Sequence, residues 1–173
     1  GQFKQVNDGG APIGTWASST NLNSARTGLA PAQAGTRTAS LAFGGEEPPG
    51  NSAKTESWNG SAWTETGDLT TARQSLAGAG TYTAALAIGG LSSAADVKTG
   101  KFDGTSWTET GDLNTARYGN KGAGTQTAGL TFAGTTGGSN RQTTTEKFDG
   151  TSWTEVNDLN AGRTDVGSLG PTQ

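Results

Sequence analysis

No cysteine and no histidine occur among the 173 residues, and methionine is missing as well. Without cysteine there is no disulfide framework, no thiolate metal site and no cysteine nucleophile. Without histidine the chain loses the commonest metal ligand and the usual general base at neutral pH. Bulky apolar side chains are scarce: Leu, Ile, Val and Phe together make 22 of 173 residues, about 13%. That is below the level at which a packed core is ordinarily assured. No window of 18 consecutive apolar residues exists, so nothing reads as a membrane-spanning helix. The chain starts at Gly1 with no charged-then-apolar leader. The missing initiator Met suggests a processed product or a piece of a longer chain. Charge is nearly balanced, at −3. A slightly acidic chain argues against a nucleic-acid partner, and the strong charge excess of disordered chains is absent. What remains is a Gly/Thr/Ser-rich chain that is either flexible or built on a fold needing little bulky core.

What is present decides between these. Four Trp recur at Trp16, Trp63, Trp107 and Trp153, spaced 47, 44 and 46 residues apart. Arg26, Arg73, Arg117 and Arg163 keep the same spacings, and so do Leu22, Leu69, Leu113 and Leu159. Three independent markers on one period establish an internal repeat. The clearest unit runs from Lys101-Phe102-Asp103-Gly104-Thr105-Ser106-Trp107 through Asp112-Leu113 to Ala116-Arg117. It returns from Lys147-Phe148-Asp149-Gly150 through Trp153 and Asp158-Leu159 to Arg163. After each Arg comes a small-residue stretch such as Ala77-Gly78-Ala79-Gly80. An alternating run then closes on two small residues: Leu86-Ala87-Ile88-Gly89-Gly90 is one copy. Asn59-Gly60, Asp103-Gly104 and Asp149-Gly150 are strong hairpin turns, because Gly accepts positive φ. Helical periodicity is absent, and Gly every few residues would penalise helix further. Each repeat therefore predicts a four-stranded antiparallel meander of about 45 residues, the length of a propeller blade.

These residues resemble the kelch repeat: a double Gly ending the second strand, an aromatic third strand, a Trp soon after, and Asp-Leu-x-x-Ala-Arg leading onward. The likeness covers nearly all of residues 17–163 and implies an all-β, kelch-like β-propeller of four-stranded antiparallel blades. Three departures are Trp58, Phe102 or Phe148 in place of the family's Tyr, Ala133-Gly134 at the third double Gly, and a very short turn between the first two strands. The kelch family includes a copper oxidase with Tyr, His and Cys ligands; a chain without His or Cys cannot carry that site. No cofactor and no metal is implied. The Thr/Gly/Ala idiom is also similar to kelch-like proteins common in marine bacteriophages, several of which resemble virion fibres or appendages.

The complete units are expected at 27–64, 74–108 and 118–154, in a single repeat array over 1–173. Partial units fall at 1–16 and 164–173. The repeated Trp is expected to fill the wedge between blades, with the repeated Leu on the same seam. The repeated Arg is expected to bond carbonyls or to pair with Glu65, Glu109 or Glu155, whose recurrence argues against one asymmetric acid/base pair. The small-residue stretch reads as the innermost strand. Asp-Gly-Thr-Ser-Trp resembles the Asp-box hairpin with a spacing one residue short, and gives no support for glycosidase chemistry.

The loop after the second strand varies most, and loops on rigid scaffolds are where binding concentrates. The expected rim is Glu46, Glu47 and Asn51, then Asp96, then Asn140, Arg141 and Gln142. No catalytic residue is indicated. The expectation is a non-enzymatic structural or binding component of a phage virion, at the virion or cell surface. Its expected partners are proteins, surface glycan, other virion proteins or copies of itself. A secreted glycan-binding or glycan-cleaving propeller and an intracellular kelch interaction module are the alternatives. Neither nucleic-acid binding nor membrane insertion is expected.

Overall fold

A computed structural model describes residues 19–167. Trp16, the partial unit at 1–16 and the last residues of the partial unit at 164–173 lie outside them. The described residues form fourteen strands and no helix. The first blade contains β1 (Ala30–Pro31), β2 (Ser40–Phe43), β5 (Thr55–Trp58) and β6 (Trp63–Thr66). Between β2 and β5 it carries a small hairpin, β3 (Glu46–Glu47) and β4 (Gly50–Asn51). The second blade is β7 (Ala77–Thr81), β8 (Ala84–Ile88), β9 (Thr99–Phe102) and β10 (Trp107–Glu109). The third is β11 (Lys121–Gly124), β12 (Gly129–Phe132), β13 (Thr145–Phe148) and β14 (Trp153–Val156). Each blade is an antiparallel sheet with its strands in chain order, a simple meander. The architecture is all-β and blade-like, and no ring closes among the described residues.

The glycines make the inner edge possible. The first strands of neighbouring blades lie against one another: β1 beside β7, and β7 beside β11. A Cβ on Gly78 would stand 2.0 Å from the Pro31 carbonyl oxygen, and one on Gly122 would stand 2.4 Å from that of Gly78. Only a residue without a side chain permits backbones so close. The crowded axis thus explains the Gly/Ala composition of the stretch after each Arg.

Apolar side chains form two seams. In the first, Leu41, Phe43, Phe102 and Trp107 are buried together. In the second, Leu86, Ile88, Phe148 and Trp153 are buried together. The same polar tie crosses both. The Trp107 indole N–H donates to Thr55 Oγ1 at 2.9 Å, and that of Trp153 donates to Thr99 Oγ1 at 2.9 Å. Trp107 also meets Phe43 edge-on, with centroids 4.8 Å apart. One Trp and four or five bulky aliphatic or aromatic partners per seam, filled in by alanines, are enough core for a blade about 45 residues long. The 13% of bulky apolar residues reflects that economy.

Candidate functional site

The repeated Arg forms the buried polar centre of each blade. Arg26 Nη1 donates to the Gly44 and Lys54 carbonyls at 2.8 and 2.6 Å. Arg73 makes the same pair of bonds to Gly89 and Lys98, and Arg117 to Ala133 and Thr144. The carboxylate partner differs from the one expected. Arg26 pairs with Glu56 at 2.6 Å and Arg117 with Glu146 at 2.5 Å, with all four side chains buried. Those carboxylates lie on the third strand of the blade that the Arg enters. Glu65, Glu109 and Glu155 sit across the sheet on the fourth strand, where Glu109 instead meets Lys98 and the Thr70 hydroxyl. Its pKa is lowered, first by the Thr70 hydrogen bond and then by Lys98.

The middle blade has Gly100 where the others have Glu56 and Glu146. Arg73 is buried with no carboxylate within ion-pair distance among the described residues, and its Nε, like that of Arg26, has no partner among them. Burial pulls the Arg73 pKa below the ordinary arginine value, opposed at longer range by Asp96, Glu109 and Asp112. The Arg117 pKa is also drawn down by burial, with Glu146 opposing. Arg163, after the last strand of the third blade, is exposed, and its Nε donates to the Ala161 carbonyl.

The meander puts the loops after the second and fourth strands at one end of every blade. All seven rim residues therefore share a face. Glu46 is exposed on β3, opposite Asn51 on β4. Glu47 pairs with Lys54 at 2.9 Å. Asn51 turns across the seam, and its amide donates to the Leu91 and Ser92 carbonyls at 2.9 and 2.8 Å. It ties two loops together. Asp96 accepts the Lys98 backbone N–H. Asn140 donates to Thr136 Oγ1, and the Gln142 amide donates back to Asn140. Glu46 and Arg141 are the rim charges most open to solvent, and they stand on the first and third blades. The rim is a spread polar surface rather than one converging cluster. Among the described residues no group of three or more acidic side chains is placed to hold a metal ion.

The opposite face carries a feature that periodicity does not reveal. An open groove of about 290 Å³ lies over the first seam, lined by Thr38, Ser57, Trp58, Asn59, Tyr82 and Phe102 among others. The variable residue of the Thr-x-Thr turns, which are Thr36-Arg37-Thr38, Thr81-Tyr82-Thr83 and Thr125-Gln126-Thr127, is the sequence signal that points to it.

No family model matches the chain, and no curated protein matches it.

Proposed function

We propose that the chain is a non-enzymatic, kelch-like blade array acting as a structural and binding component, of the kind used in phage virion fibres, appendages or capsid decoration. The observation that carries this reading is that the repeated residues are committed to seams, and that among the described residues each outer blade keeps half of a further seam uncovered. Leu41 and Phe43 in the first blade, and Leu86 and Ile88 in the second, are fully buried by the blade that follows. Their counterparts Leu130 and Phe132 in the third blade are partly exposed. Thr145 occupies the position from which Thr55 and Thr99 accept an indole N–H. At the other end Trp63 is partly exposed, and its indole N–H has no acceptor among the described residues. Among the described residues, one end thus offers the acceptor half of a seam and the other end the donor half. Solitary repeats cannot bury their faces, so further blades, from copies of this chain or from other virion proteins, are the partners this geometry suits.

The test is the mass of the native particle over a range of concentrations. Assembly is expected, and Phe132→Glu should abolish it while leaving the far-UV circular dichroism unchanged. A monomer at every concentration, with Phe132→Glu indistinguishable from the parent, overturns the reading.

A further inference from the structure

We infer that the groove over the first seam is a binding site for a neutral saccharide, with Trp58 and Tyr82 as its stacking surfaces. This rests on the reading of the chain as a binding component and names the ligand class.

The two seams are built alike, so their differences isolate the groove. At the second seam the turn residue is Gln126. Its amide folds inward and donates to the Phe102 carbonyl at 2.5 Å and the Ala85 carbonyl at 3.2 Å. There Gln126 walls a separate groove of about 370 Å³ that Lys101, Asp103 and Glu109 line with charge, and no second aromatic faces Phe102 across it. At the first seam the same position is Tyr82, which is 43% exposed and one of only two large apolar side chains exposed among the described residues. The groove that Tyr82 lines is shared with Trp58 of the neighbouring blade and with the buried Phe102. Trp58 is held in place, because its indole N–H donates to the Arg37 carbonyl at 2.9 Å. Its ring also packs against Trp63, with centroids 5.5 Å apart, so it lines the groove as a fixed surface.

The polar lining selects the ligand. Thr38, Ser57 and Thr83 bring hydroxyls, and Asn59 brings an amide. Asn59 Oδ1 is already bonded by the Ser61 backbone N–H, the Ser61 hydroxyl and the Ala62 N–H. Its Nδ2 hydrogens are left to donate. The other two blades have Asp103 and Asp149 at this position, so Asn59 removes a negative charge where the groove opens. No carboxylate or cation is among the lining residues. Aromatic faces with apolar C–H contact, together with neutral donors and acceptors, match a pyranose ring, and no cation lines the groove to select a sialylated or uronate sugar. The volume is at the small end of ligand pockets, which suits one or two rings of a longer chain.

The test uses the full chain with tetrasaccharides of glucose, galactose and mannose, and a uronate tetrasaccharide as the charged comparison. Tryptophan fluorescence and saturation-transfer NMR report binding. Two variants use residues already found at the matching positions of other blades, so each is compatible with the fold. Tyr82→Gln copies Gln126 and should weaken binding by about tenfold or more; Trp58→Phe copies Phe102 and should weaken it about three-fold. Binding of at least one neutral tetrasaccharide, lost in Tyr82→Gln, supports the site. No binding by any neutral sugar, binding unchanged in both variants, or preference for the uronate overturns it. The native mass, measured on the same samples, reports assembly separately, so a failed groove is distinguishable from a failed structural reading.

Discussion

Arg73 is the residue at which the repeat departs from its own rule. Two sister blades give the same guanidinium a buried carboxylate, and this one does not. A buried ion pair missing one partner is the costly form, by about 3–5 kcal/mol in typical cases. Here three carbonyl contacts and three distant carboxylates offset part of that cost. Gly100→Glu restores the missing group. A Cβ at Gly100 would stand 3.2 Å from Trp107 Cε3 and 3.8 Å from Arg73 Nη2. The ring must yield by a few tenths of an ångström, and the third blade shows Glu146 beside Trp153 in the same arrangement. Replacing a strand glycine also removes some unfolded-chain entropy. The expected outcome is a gain of about 1–2 kcal/mol in urea unfolding. A loss of stability would mean that Trp107 cannot move and that the glycine is there for packing. The Arg–Glu pairing was not legible in the sequence, because its carboxylates sit mid-strand and the middle repeat breaks their period. The Trp, Leu and Arg markers were legible because every blade needs them at one place.

The hairpin joining the third and fourth strands carries its own device. Asp103 Oδ1 accepts from the Thr105 N–H, the Thr105 hydroxyl and the Ser106 N–H, and Asp149 repeats the pattern with Thr151 and Ser152. Bonds to the charged form hold both carboxyls well below the usual range, the backbone N–H of Ser106 and of Ser152 contributing most. A folded pKa below the unfolded value adds stability that is present above the unfolded value, near about 3.9. That contribution is lost as the pH falls through the folded value. Asn59 makes the same turn without an ionisable group. The double variant Asp103→Asn, Asp149→Asn should therefore keep its hairpins at neutral pH and show a smaller fall in Tm between about pH 4 and pH 2. Equal slopes for variant and parent would assign acid sensitivity to other carboxylates. The turns themselves could be read from Asp-Gly and Asn-Gly. Their hydrogen-bond saturation could not, since it depends on Thr and Ser two and three residues on adopting one turn geometry.

Across the whole molecule the blades differ in how many faces they bury. The second blade packs on both sides, with Ala85, Ala87, Phe102 and Trp107 against the first and Ala77, Ala79, Leu86 and Ile88 against the third. The third blade presents Lys121, Ala123, Leu130 and Phe132 at its open side, all partly exposed. The matching residues of the second blade, Ala77, Ala79, Leu86 and Ile88, are buried. In an array with nearest-neighbour coupling, stability is a sum of blade terms and seam terms. A blade with two seams must open last, because opening it breaks both. Backbone amides on β8 and β9 should therefore exchange most slowly in dilute protein, and those on β12 and β13 measurably faster. Hydrogen exchange followed by mass spectrometry resolves these segments. At concentrations where particles assemble, the added seam should slow β12 and β13 toward the rate of β8 and β9. The groove over the first seam adds a local term of the same kind, since a bound ring bridges Trp58 on one blade and Tyr82 on the next. Uniform exchange across all three blades would show that they open as one unit, and the nearest-neighbour picture would then fail.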